Sequence, residues 1–230
     1  GFDRKDSTSV SREIVDYTKA TVEGIKGMKL ALPKEYFGEG IDKNIKESVY
    51  NAVKVLEGLG AKVEEISLPY TDYALACYYL ISTSEASSNL ARLDGVRYGH
   101  RTNNYNDLEE LYINSRTEAF GEEVKSRILM GTYATTDVLY QDFFIKSQQI
   151  RRLITNEYNE ILKDVDFIAG PTVAGPAFNK NHQASSIQNS LFDANLIGAN
   201  LAGLPALSHQ MGMSNGMPVG FHLIGRAFDE

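Results

Sequence analysis

Hydrophobic positions change period several times along the chain, and each change predicts an element. Met28-Lys29-Leu30-Ala31-Leu32-Pro33 is a short apolar run closed by proline, the pattern of a buried strand. Glu35–Gly40 predicts a loop, and Asp42 an N-cap. Ile45, Val49, Ala52, Val53 and Leu56 then recur at helical spacing on an otherwise charged segment, until Gly58 and Gly60 stop it. Lys62–Leu68 alternates Val63 and Ile66 with Glu64 and Glu65 before Pro69, which predicts a second strand. Strand, helix and strand in this length form a βαβ unit with parallel strands and a right-handed crossover. The residues before it, 1–27, read as an extended, partly helical lead-in.

From residue 71 to 165 the period is mainly helical. Tyr73–Leu93 is apolar with many small residues. Leu108–Phe120 and Glu122–Met130 are shorter segments parted by Gly121. Asp137 is placed to cap a long helix with the stripe Leu139, Phe143, Ile150, Ile154, Tyr158 and Ile161. Val165–Thr172 returns to a buried strand that meets a proline turn, and the polar run Asn179–Asn189 predicts a loop. A small helix from Leu191 carries Asp193. Two apolar runs close the chain, Ala206–Met213 and Pro218–Gly225, joined by Ser214-Asn215-Gly216. Asn-Gly between such runs is the strongest short-range hairpin signal, and the pattern predicts a buried hairpin.

Composition narrows the functional classes. The 230 residues, 43% of them hydrophobic, suffice for a substantial core of α/β type. A net charge of -7 and the lack of a dense Lys/Arg stripe argue against a nucleic-acid phosphate surface on this chain. The single cysteine, Cys77, excludes an internal disulfide framework and fits a reducing, cytoplasmic setting; its apolar surroundings predict an inert buried thiol. No apolar run is long enough to span a bilayer as a helix. The four histidines, His100, His182, His209 and His222, lack metal-ligand spacing; His209 and His222 lie in the hairpin, where a pair facing across it is the lesser reading beside two hydrogen-bonded or solvated imidazoles. No nucleophile elbow, Walker loop or dinucleotide fingerprint is present. The run Ser82–Ser88 has hydroxyls but no base nearby in sequence, and reads as small residues that allow close helix packing.

Several separated segments occur in a familiar order. They are Asp6-Ser7-Thr8-Ser9, Ala31–Phe37, Ser84-Glu85-Ala86-Ser87-Ser88-Asn89-Leu90, Asp94-Gly95-Val96-Arg97-Tyr98-Gly99, Glu123–Ile128, Gly170-Pro171-Thr172 and the stretch Asn200–Glu230. The chain resembles the amidase signature family, whose closing segment runs close to N-x-A-G-x-P-A and then G-L-P-V-G-x-Q-x-I-G. The Glu-Ala-Ser-Ser-Asn and Asp-Gly-x-Arg-Tyr-Gly segments are similar to the branch made up of the A subunits of glutamyl-tRNA(Gln) amidotransferases.

The resemblance implies an α/β fold, a mixed β-sheet flanked by helices with a helical insertion. Residues 1–230 are then expected to form the C-terminal portion of a single amidase domain: 27–70 the βαβ unit, 71–165 the mainly helical part, 166–230 the strands that complete the sheet. Both ends, an opening without a start methionine and a stop just after a strand-like run, agree with an excised or processed portion. Members of the branch release ammonia from glutamine and pass it to a partner subunit, which amidates glutamate carried on tRNA(Gln). The implied partners are the B and C subunits, glutamine, and Glu-tRNA(Gln) through the complex. ATP and Mg belong to the partner subunit, and no cofactor is implied for this chain. Family catalysis uses a Ser–Ser–Lys arrangement; the Gly/Ser-rich stretch and lysine that carry it have no counterpart here, so the chain alone is expected to be inactive.

What the resemblance leaves to this chain is an amino-acid pocket. Arg127, by its Glu-Val-Lys-x-Arg-Ile context, matches the residue for the glutamine α-carboxylate; Asp193 matches the one for the α-ammonium. Tyr78 matches a pocket-lining tyrosine, with Tyr79 a close competitor. Judged on pattern alone, these read first as a surface helix arginine, a helix N-cap aspartate and core tyrosines. A scaffold module that kept the fold without the chemistry, and an amidase of different specificity, stay open as alternatives.

Overall fold

A computed structural model describes residues 1–19, 24–38, 40–181 and 192–230. Five strands, β1 (Lys29–Pro33), β2 (Lys62–Ile66), β3 (Phe167–Pro171), β4 (Ala206–Ser214) and β5 (Met217–Ile224), form one sheet in the order β2-β1-β3-β5-β4. β1 is parallel to β2 and β3, whereas β5 is antiparallel to β3 and β4. The sheet is therefore mixed, as expected.

Strand alternation sends side chains to two different cores. Leu30 and Leu32 of β1, Ala169 of β3 and Phe221 of β5 pack with Val49 and Val53 of α1 (Lys43–Gly58). Ala31, Ile168 and Ile224 point the other way. They meet three helices, α2 (Thr71–Leu90), α5 (Lys146–Ile161) and α6 (Ala194–Ala202). α1 forms where the pattern places it, because the Asp42 carboxylate accepts the N–H groups of Asn44 (2.8 Å) and Ile45 (3.3 Å). The loop expected at Glu35–Gly40 begins as a 3₁₀ turn, Lys34–Phe37, that buries Tyr36.

α3 (Leu108–Ala119) and α4 (Glu122–Ala134) are the two short helices parted by Gly121. α3 is capped by Asp107, whose carboxylate accepts the Glu110 N–H. α4 lies along α2, and here the small-residue run has its use. A Cβ on Gly131 would stand 1.9 Å from the Thr83 carbonyl oxygen, and the Ser87 and Thr132 hydroxyls are 2.8 Å apart across the crossing.

Three expectations are corrected, and one lesser alternative, the facing histidines, is excluded. The long helix does not start at Asp137: the Thr136 carbonyl accepts from both Leu139 and Tyr140, which makes a turn there, and the chain enters α5 through a π-helical segment, Gln141–Ile145. His209 and His222 do not face each other, because the register pairs His209 with Phe221 and Ser208 with His222. Neighbouring positions on a strand point to opposite faces, so His222 is buried and His209 exposed. The hairpin is buried only along β5; β4 lies at the sheet edge and is largely exposed. The lead-in shows turns but no helix among its described residues. His182, Leu191 and most of the predicted Asn179–Asn189 loop lie outside the described residues.

Candidate functional site

The parallel strands β1 and β3 end at Pro33 and Pro171, the side of an open α/β sheet where ligand crevices form. A cavity of about 640 Å³ lies there, lined among others by Glu35, Tyr36, Thr71, Leu75, Phe192 and Asn195. Of the lining residues, Tyr36 belongs to a buried phenol pair. The Tyr36 and Tyr158 oxygens are 2.5 Å apart, and burial raises the Tyr36 pKa well above the usual tyrosine range and that of Tyr158 to about 12. Both hydroxyls are thus neutral donors and acceptors at any physiological pH. Asn195 donates its side-chain N–H to the Pro171 carbonyl, which ties the start of α6 to the end of β3.

Asp193 is the residue before α6, between the cavity-lining residues Phe192 and Ala194. Its side chain makes no capping hydrogen bond to its own helix. A capping role thus gives no account of this carboxylate, and it is exposed.

Thr71, Leu75 and Tyr78 follow one another at helical spacing on one face of α2. The first two line the cavity; Tyr78 stands one turn beyond it, partly buried. There it meets Arg127 of α4. The guanidinium lies near the Tyr78 side chain, and its Nε donates to Glu123 Oε1 at 3.0 Å. Its neighbours, Tyr78 first and then Glu123, raise the Arg127 pKa further above the already high arginine value, so the group is a permanent cation. Tyr79, the competing tyrosine, packs edge-on to Tyr78 with centroids 5.4 Å apart.

The structure therefore brings Arg127 and Tyr78 together and sets Asp193 on a different helix. α2 links them, since α4 and α6 both pack on it. Two residues escaped the sequence reading. Glu123 was legible in principle, since it stands four residues before Arg127 on a helix. Glu157 of α5 was not; it is partly buried near Glu35, with one carboxylate oxygen enclosed and without a hydrogen-bond partner among the described residues, and burial raises its pKa to about 7. Among the described residues, no group of three or more His, Cys, Asp or Glu side chains is placed to hold a metal ion. No helix among them is long and apolar enough to cross a membrane.

Known proteins share this fold. The chain is 48% identical to the A subunit of glutamyl-tRNA(Gln) amidotransferase from Bacillus pumilus over 231 residues, covering all of this chain and 48% of the relative. The crystal structure of the A subunit of glutamyl-tRNA(Gln) amidotransferase from Thermotoga maritima superposes with a TM-score of 0.76 at 38% identity, over 99% of this chain and 45% of that one. A bacterial aryl acylamidase of the amidase signature family, at 20% identity, shares the fold with a TM-score of 0.72 over 98% of this chain and 45% of its own. The chain thus spans about half the length of the curated relatives it matches. The model of the Amidase family matches residues 1–230, from the first residue to the last, and the chain belongs to that family.

Proposed function

We propose that this chain is the substrate-pocket half of the glutaminase subunit of a glutamyl-tRNA(Gln) amidotransferase. The observation that carries the proposal is that α2 walls the cavity and bears Tyr78, that α4 with Arg127 packs on α2, and that Asp193 stands between two cavity-lining residues. Free glutamine is a zwitterion, and its recognition calls for a fixed cation and an anion set apart. Arg127 is a permanent cation with a planar fork of donors suited to the α-carboxylate. Asp193 offers an acceptor for the α-ammonium, and Tyr78 is the tyrosine assigned to line the pocket.

On this reading the Ser–Ser–Lys chemistry of the family is supplied by the half of the protein that this chain does not match, and the chain alone releases no ammonia. The B and C subunits, Glu-tRNA(Gln), and the ATP and Mg used by the partner subunit belong to the assembled complex, a ligase of protein biosynthesis in the cytoplasm. The 48% identity to an amidotransferase A subunit over the whole chain supports this branch over other amidases.

The test is glutamine-binding calorimetry on this chain, together with ammonia release from the chain fused to the half of the Bacillus pumilus protein that it does not match. Binding that falls at least tenfold in both Arg127→Ala and Asp193→Ala, with ammonia released only by the fusion, is the expected result. Unchanged glutamine affinity in both variants refutes the pocket and favours the scaffold alternative.

A further inference from the structure

The contacts around Arg127 restrict how it can hold a carboxylate. A guanidinium presents two usable edges: side-on, through Nε and one terminal nitrogen, or end-on, through the two terminal nitrogens. The Nε–H is already donated to Glu123 Oε1 at 3.0 Å. Glu123 is well placed to remain there. It lies in the first turn of α4, where the unpaired backbone N–H groups favour a carboxylate, and a glutamate one turn before an arginine is the favourable order on a helix. The neighbouring acid, Glu122, does not compete for the arginine, since it accepts from Lys125 Nζ at 3.0 Å.

On the stability scale this ion pair contributes little. The Glu123 side chain is 69% exposed and that of Arg127 35%, and exposed pairs at this spacing contribute only about 0.3–0.5 kcal/mol. Its consequence is geometric. With the Nε edge taken by Glu123, the edge left open to a ligand is the pair of terminal nitrogens.

We propose that Glu123 is a positioning residue for Arg127, which occupies the Nε edge so that an amino-acid α-carboxylate is received end-on by the two terminal nitrogens. The inference rests on the assignment of Arg127 to the α-carboxylate. It adds the edge used and the residue that selects it. Removing Glu123 frees a rotamer-rich side chain, which binding must then order, and lowers glutamine affinity roughly three- to tenfold. Glutamine at the same position keeps an oxygen acceptor for Nε and restores most of the affinity.

The experiment is nuclear magnetic resonance of the arginine side-chain N–H groups in this chain, with glutamine titrated into wild type, Glu123→Ala, Glu123→Gln and Arg127→Ala. In wild type the Arg127 Nε–H is expected to be protected from exchange and to stay in place during the titration while the terminal N–H signals move. Glu123→Ala is expected to lose the protection and bind more weakly by that factor, and Glu123→Gln to keep both. An Nε–H signal that moves with the terminal ones on titration, or a Glu123→Ala variant with wild-type affinity, overturns the positioning role. If wild type does not bind glutamine, or Arg127→Ala binds it equally well, the pocket assignment itself fails and Glu123 has no carboxylate to orient. If Arg127→Ala loses binding and Glu123→Ala does not, the pocket stands and only the positioning role is lost.

Discussion

Gly131 of α4 lies directly on the Thr83 carbonyl of α2: a methyl group at Gly131 would stand 1.9 Å from that oxygen and 2.9 Å from the Ser84 nitrogen. Both obstacles are backbone, so neither can rotate away. Gly131→Ala is therefore expected to destabilise the chain by about 1–3 kcal/mol, despite alanine's better helix propensity. For a chain of this size that lowers Tm by roughly 2–4 °C per kcal/mol, which scanning calorimetry resolves. Since Arg127 lies one turn before Gly131, the same variant is expected to part Arg127 from Tyr78 and to weaken glutamine binding.

Gly198 and Tyr158 make a second contact of this kind. A Cβ on Gly198 would meet the Tyr158 hydroxyl at 2.0 Å. That hydroxyl is committed to Tyr36, so it cannot simply swing aside. Tyr158→Phe leaves the buried Tyr36 hydroxyl without its partner and is expected to cost about 1–3 kcal/mol in urea unfolding. Tyr36→Phe in the Tyr158→Phe background is expected to recover part of that loss, because both polar partners are then gone.

Glu157 gives a pH dependence opposite to that of most carboxylates. Burial is the largest influence on it, and raises its folded-state pKa from 4.5 to about 7, with the charge of Glu35 adding to the effect. The folded state therefore holds this proton more tightly than the unfolded chain. The contribution of Glu157 to stability falls as pH rises from about 4.5 and levels off above about 7. Glu157→Gln is expected to raise the urea midpoint at pH 8, to leave it nearly unchanged at pH 4, and to flatten the slope between them.

Asp94 behaves in the opposite sense. Its carboxylate accepts the backbone N–H groups of Arg97 and Val96 and the Nε–H of Arg97, which together lower its pKa to about 2. The loop order it provides is present above pH 3.8 and is lost as pH falls through about 2. Amide exchange at Val96 and Arg97 is expected to accelerate over that window in wild type, and to be fast throughout in Asp94→Ala.

Much of this fold was legible because local chemistry and tertiary packing agree. Asp42 and its apolar stripe mark α1, and Asn215-Gly216 marks a two-residue turn in which both residues adopt positive φ, 51° and 77°. The errors arose where register or partners decide. The pairing of His209 depends on the parity of the strand register, which an apolar pattern does not fix. A glycine within a helix, such as Gly131, gives no sign of which backbone will press on it. Tyr36 and Tyr158 are 122 residues apart, and no local pattern joins them. Of the candidate site, Arg127, Tyr78 and Asp193 were reached only through resemblance to a family. Their residue types are common, and what distinguishes them here is the packing of α4 and α6 on one helix.

The irregularity in β4 has a consequence for how the chain behaves when concentrated. β4 is an edge strand, and its sequence ALSHQMGMS has no charged residue or proline to repel another strand. Its pairing with β5 is continuous from Ala206 to Gln210, is interrupted at Met211, and resumes at Gly212. The bulge bends the strand and divides its free edge into two short templates. An incoming strand can dock on either one but not run the full length, so contacts between molecules remain brief. Deleting Met211 would straighten the edge into a continuous template, and the expected result is elongating, dye-binding fibrils where the parent chain forms only small reversible oligomers.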